Sequence, residues 1–338
     1  MSSQAPSPGL FFDTINAYQR TQALKTAIEI DLFSSIAGGS ITAAELAATC
    51  GVAERGVRIL ADYLVIAGFL TKSAEGYGLT LDSSTFLTRS SPAYLGGTLQ
   101  FLLTPSLTEC FTQLTAAVKR GGTAVSDDGT VSHDNPIWVD FARAMGPMMH
   151  LPAQLLAGLI GGEKSAPLRV LDIAAGHGLF GISVADQYPK AHVTALDWKN
   201  VLQVAQENAE RAGTADRYSL LPGSAFDTDW GGPYDVVLLT NFLHHFDLAT
   251  CEQIARKARE ALAPGGRAIT LEFIPDESRV TPVGTAGFAL TMLATTGHGD
   301  AYTFAEYERV FAKSGFVKSE FRPLPPTMQQ AVISYRGE

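Results

Sequence analysis

Several things are scarce in this chain of 338 residues, and each scarcity removes a class of function. Cysteine occurs only at Cys50, Cys110 and Cys251, far apart and never as a CxxC pair. That leaves no disulfide framework and no thiolate zinc site, as suits a reduced compartment. Basic charge is short: 25 Lys and Arg stand against 34 Asp and Glu, a net charge of -9. A general nucleic-acid binder needs a positive field, so no nucleic-acid partner is expected. No apolar run reaches the roughly 18 residues of a membrane span. The opening "MSSQAPSPG" lacks the basic and apolar regions of a secretory signal. A soluble, cytoplasmic protein away from membranes is expected. Its abundance is apolar, with 46% hydrophobic residues against 17% charged, which supplies a large interior.

Two halves follow different patterns. Residues 10 to about 163 read as almost entirely helical. "FFDTINAYQRTQALKTAIEIDLFSSI" repeats apolar residues at three- and four-residue steps and stops at Gly38-Gly39. "SITAAELAATCGVAERGVRILADYLVIAGFL" predicts a capped helix, a turn at Gly51 and a longer helix ending near Gly68, and "LTKSAEGYGLT" a tight hairpin. Helix, turn, helix and wing make a winged-helix pattern. Its second helix offers only Arg55 and Arg58 as cations, which favours packing and dimerisation over DNA reading. Further helices are predicted over 91–103, 106–120 and 135–161. From Leu168 strands and helices alternate, with strands over 168–173, 192–197, 217–222, 234–240 and 266–274, and "FVKSEFRPLPPTMQQAVISYR" adds two more. The fold class is therefore α/β, a Rossmann-like sheet covered on both faces, preceded by a mainly α winged-helix unit. The expected domains are 10–105, linking helices over 106–163, and the α/β unit over 164–338.

"RVLDIAAGHGLFGISVA" is the first stretch with chemical content. A strand ends on Asp172, breaks into small residues, and resumes as a helix. In open α/β sheets ligands sit beyond the carboxyl ends of the strands, and bare glycines let the backbone turn and a ligand approach. A phosphate-gripping loop would need a Lys that is missing here. Gly176, Gly178 and Gly181 match the dinucleotide spacing, a weak sign by itself. Asp172 before the loop suits a cationic ligand such as an amino-acid ammonium. Asp197 closes the next strand, where it can accept from ribose hydroxyls. Together they point to S-adenosyl-L-methionine.

With "VLDIAAGHG", "LDW", "GSAFDTDW", "LLTNFLHHFD", "LAPGGRAITLEFIPDE" and "YTFAEYERVFAKSGF" in order, the chain resembles the class I S-adenosylmethionine-dependent small-molecule O-methyltransferases that carry an N-terminal winged-helix dimerisation domain. The resemblance implies a homodimer formed through that domain. It implies a cofactor site of Asp172, Ala174, Gly176, Gly178, Asp197, Trp198, Ser224, Ala225, Phe226 and Asn241. It places the general base on His244 and a flanking acid on Glu272. A phenol, with a pKa of about 10, is a poor nucleophile at neutral pH, so an imidazole that takes its proton assists the transfer. It also implies that the segments carrying Phe141, Met145, Met149, Phe288 and Met292 roof an apolar acceptor pocket, with His245 and His298 beside it. The acceptor is then a small aromatic or polyketide-like hydroxyl compound.

Three positions depart from the family pattern. His245 stands where Asp is usual, with Phe246 in place of Trp. A second flanking acid falls on Ala301, next to Asp300. The acid expected at the adenine edge is Ser224. His298 opens an alternative, in which His244 and His298 hold a metal for C-methylation of an α-keto acid. Without that pair no metal is expected. A winged-helix regulator, or a protein that holds the cofactor without methylating, are the remaining alternatives, since fold does not fix function.

Overall fold

In a computed structural model, residues 6–126, 129 and 137–338 are described. Two compact units divide the chain, Met1–Leu99 and Gln100–Glu338. The predicted linking helices thus fall within the second unit.

In the first unit the long N-terminal repeat becomes three helices, Gly9–Ile15, Ala17–Glu29 and Leu32–Ala37. The last two part at Asp31, whose backbone is left-handed at φ 57°, a conformation that ends a helix. Thr42 and Glu45 form a capping box on helix Ala43–Cys50, which Gly51 terminates at φ 67°. Helix Glu54–Ile66 follows, then the hairpin of β1 (Leu70–Lys72) and β2 (Tyr77–Leu79). Leu32, Phe33, Leu46 and Leu64 form its core. Asp62 fastens the wing, accepting from Tyr77 Oη at 2.7 Å and from Arg58 at 3.1 Å. Leu10, Phe11, Phe12, Ile15 and Tyr18 remain exposed on the first two helices.

The second unit contains a seven-stranded sheet. Its strands are β3 (Leu168–Ile173), β4 (Ala191–Asp197), β5 (Tyr218–Pro222), β6 (Tyr234–Thr240), β7 (Leu262–Glu272), β8 (Lys318–Pro323) and β9 (Gln330–Tyr335). They lie in the order β5-β4-β3-β6-β7-β9-β8. All neighbours run parallel except β9, antiparallel to both β7 and β8. Side-chain alternation divides the core: Val170 and Leu238 pack with Val184 and Leu202 on one face, and Leu171, Ile173 and Leu239 with Ile254 on the other. From β3 the chain winds outward to β5 and returns to β3's other side as β6. That reversal opens a crevice above the carboxyl ends of β3, β4 and β6.

Some boundaries differ from the sequence reading. The segment 91–103 is one short 3₁₀ turn, Gly96–Thr98, followed by helix Leu99–Leu102. The segment 106–120 divides into Pro105–Thr112 and Leu114–Arg120. The predicted helix 135–161 becomes Ile137–Ala144 and Gly146–Gly158, because Pro147 sits at a helix start; residues 135–136 lie outside the described ones. Strand β7 covers 262–272 rather than 266–274. Among the described residues no helix is long and apolar enough to cross a membrane.

Candidate active site

A cavity of about 770 Å³ occupies the crevice. At one end lies the loop after β3. Ala174, Gly176 and Gly178 all have positive φ, 52°, 57° and 75°. The glycines serve different ends. A Cβ on Gly176 would meet nothing nearer than 3.9 Å, so its bareness opens space for a ligand. A Cβ on Gly178 would come within 2.7 Å of Tyr218 Oη and 2.9 Å of Ala205 Cβ, so its bareness lets the loop pack on its neighbours. Asp197, at the tip of β4, accepts from the N–H groups of Gly176 at 2.8 Å and Trp198 at 2.7 Å. Burial raises its pKa to about 6 against those two bonds. Trp198, Ser224, Ala225 and Phe226 continue the wall. Lys257 donates to the Ala225 and Phe226 carbonyls at 2.9 and 2.7 Å and fixes that edge.

Asp172 lies beneath the loop. It is completely buried and does not line the cavity. Its Oδ2 accepts from Gly181 N–H at 3.0 Å, beneath the loop, and its Oδ1 has no partner. Burial first, and then the charge of Asp197, raise its pKa to about 7. It shapes the glycine turn from below.

At the far end β6 runs into Asn241, left-handed at φ 52°, which donates its N–H to Leu271 O at 2.8 Å. The turn 243–245 follows. Glu272, the last residue of β7 and wholly buried, organises that turn. Its Oε1 accepts from the N–H groups of Phe242 and Leu243 at 2.9 and 2.8 Å, with His244 N–H at 3.4 Å. Its Oε2 contacts His244 Nδ1. Adjacency of β6 and β7 in the sheet creates this pairing between residues 28 apart in the chain. With Nδ1 engaged, Nε2 is the ring nitrogen left to the cavity that His244 lines.

Phe141, Met145, Met149, His245, Phe288 and Met292 also line this cavity. Phe288 stacks on Phe273 at 4.0 Å and meets the His244 ring edge-on at 4.9 Å. Met149 Sδ lies 3.7 Å from both Asn241 Nδ2 and Gln329 Nε2. Sequence reasoning missed Trp138, His177 and Phe273, which line the cavity too. His177 sits inside the glycine loop and Phe273 directly after Glu272, so position alone signalled both. Burial lowers the pKa of His177 to about 4.

His298 is exposed and does not line the cavity. Among the described residues no group of three His, Cys, Asp or Glu is placed to hold a metal. Nor does Asp300 replace the acid absent at Ala301. Its carboxylate pairs with Arg279 at 3.2 Å, and only its N–H reaches the His244 carbonyl, at 3.0 Å.

Comparison with known proteins bears on this geometry. Residues 161–317 match the model of the O-methyltransferase domain, and residues 12–89 that of the O-methyltransferase dimerisation domain. A solved structure of a candidate O-methyltransferase from Nostoc punctiforme is 54% identical, with a TM-score of 0.95, over 98% of this chain and all of that one. The tetracenomycin polyketide synthesis 8-O-methyl transferase of Streptomyces glaucescens is 27% identical over 91% of each chain. Human N-acetylserotonin methyltransferase, solved in complex with S-adenosylmethionine, shares the fold with a TM-score of 0.84 at 22% identity, over 100% of each chain.

Proposed function

The chain belongs to the O-methyltransferase family, and on that premise we propose that it transfers a methyl group from S-adenosylmethionine to a hydroxyl of a small aromatic or polyketide-like acceptor, with His244 as general base. The observation that carries this reading is His244 itself: a buried imidazole, held at Nδ1 by Glu272, in an apolar chamber that continues to an open glycine loop.

The residues fit the cofactor. The loop 174–178 leaves room beside Gly176, Asp197 offers a carboxylate at the strand tip for ribose hydroxyls, and Ala225, Phe226 and Asn241 bound the rest. When bound, S-adenosylmethionine supplies a methyl group already activated by its sulfonium. The protein must then orient an acceptor, exclude water and accept one proton. Phe288, Met145 and Met149 grip an aromatic face. His244 Nε2 takes the hydroxyl proton as the oxygen attacks, and Glu272 stabilises the resulting imidazolium, as the carboxylate does in hydrolase triads.

The metal-assisted alternative loses support, because His298 lies outside the cavity. An α-keto acid would also want a cation, and among the described lining residues there is no Lys or Arg. Dimerisation through the N-terminal unit is supported by its family match and by the exposed apolar side chains on its first two helices.

Calorimetric titration with S-adenosylmethionine, followed by mass spectrometry over a panel of phenols and α-keto acids, tests the reading. Binding together with a one-methyl mass gain on phenols is expected. Absent binding, or gain on keto acids alone, overturns it.

A further inference from the structure

His245, where the family pattern would place an acid, has a setting of its own. Its ring lines the cavity, with its centroid 4.2 Å from that of His244. Trp138 packs edge-on against it at 5.2 Å. Its Nδ1 is sealed from solvent and has no hydrogen-bond partner. Burial, and then the charge on His244, hold the ring far below the usual imidazole pKa, so it is neutral.

A neutral imidazole carries one N–H and one lone pair. An N–H at the sealed Nδ1 would be a buried donor without a partner, the costlier arrangement. The proton is therefore assigned to Nε2, on the ring that faces the chamber. A positive charge on the neighbouring ring only lowers the pKa of His245 further. When His244 is protonated, His245 stays neutral and keeps its donor.

Resting on the reading under Proposed function, we propose that His245 is a specificity-determining hydrogen-bond donor, which gives its N–H to a second oxygen vicinal to the hydroxyl that His244 deprotonates. The closeness of the two rings suits oxygens on neighbouring ring carbons. The acceptor class is then narrowed to aromatics with an ortho ether, carbonyl or similar acceptor oxygen. A carboxylate at 245 would reverse this polarity, repelling a carbonyl or ether oxygen and accepting from a hydroxyl.

Two isomers separate this effect from size and hydrophobicity: 3-methoxy-2-naphthol, with vicinal oxygens, and 6-methoxy-2-naphthol, without. We expect kcat/KM to favour the vicinal isomer by about tenfold or more in the wild type, the worth of one neutral hydrogen bond whose loss leaves a donor unpaired. In His245→Phe the ratio should fall to within about threefold, and His245→Gln, which restores an N–H, should recover part of it. His245→Asp should turn over 2,3-dihydroxynaphthalene in preference to its monomethyl ether. The same ratios are read as dissociation constants with S-adenosylhomocysteine bound, which needs no turnover. Equal binding of the isomers by the wild type, no binding of either, or an unchanged ratio in His245→Phe overturns the inference. A binding preference without any methyl transfer supports it and sinks the methyl-transfer reading instead.

Discussion

One carboxylate, that of Glu272, both caps the turn that presents His244 and holds the His244 ring: Oε1 faces the N–H groups of residues 242–244 while Oε2 meets Nδ1. Orientation of the imidazole and integrity of the turn are thereby joined in a single side chain. Glu272→Ala should cost about 3 kcal/mol, because buried backbone donors are left unpaired. Glu272→Gln should cost less, since its amide oxygen still accepts from the turn. Both should lose turnover. Urea unfolding beside turnover separates the two roles; equal stability of wild type and Ala variant would contradict the capping role.

His244→Ala should lower turnover by on the order of 10² to 10⁴, the usual worth of a positioned general base. Cofactor affinity should stay within about threefold, as the glycine loop and Asp197 are untouched. Single-turnover assays with calorimetry check both.

Asp197 sets a pH dependence for cofactor binding. In the proposed function ribose hydroxyls donate to its ionised carboxylate, whose pKa is raised to about 6. Affinity should be flat above about pH 7 and fall by up to about tenfold per unit well below pH 6, where protonation competes. Titrations from pH 5 to 8 measure it, and Asp197→Asn should bind weakly with that slope removed.

Asp172 sets a different one, for stability. Its folded pKa is about 7, against about 3.9 unfolded. Between these values the folded chain holds the extra proton, so this group's contribution falls as pH rises through the window, on the order of 1 kcal/mol per unit. His177, depressed to about 4 by burial, acts oppositely between about pH 4 and 6.5, where the unfolded chain binds more protons. Asp172→Asn removes the first effect alone. Its stability relative to wild type should therefore improve from pH 5 to pH 7.5 in urea unfolding; a constant difference would refute the assignment.

Gly178→Ala and Gly176→Ala should part company. The first combines positive φ with contacts no Cβ tolerates and should destabilise by about 2–3 kcal/mol. The second has open space, costs about 1 kcal/mol for its backbone, and should weaken cofactor affinity more than stability. Thermal unfolding and calorimetry together distinguish them.

The alternation after Leu168 was legible because buried parallel strands read as short apolar runs between amphipathic helices, and the glycine loop because its spacing falls at a strand end. The depth of Asp172 follows from parity, which residue type alone does not reveal. In β3 it shares a face with Val170, toward helix Leu179–Gln187, and lies one residue short of the strand tip, so Gly181 N–H donates to it. His298 was drawn inward by its chemistry alone, whereas nothing in "TTGHGD" fixes where a loop side chain points. The Glu272–His244 contact could come only from resemblance, since strand order in a sheet is not written in any local pattern.

The junction of Met149, Asn241 and Gln329 carries a temporal consequence. The edge at Ala225 and Phe226 is fixed by Lys257, and Asn241 donates its N–H to Leu271 O, so the crevice is not framed before β7 is made. The wall beside Asn241 is completed only when Gln329, next to β9, is in place. A chain ending before β9 should therefore lack the contacts that Gln329 makes with Met149 and Asn241, and leave that wall unfinished.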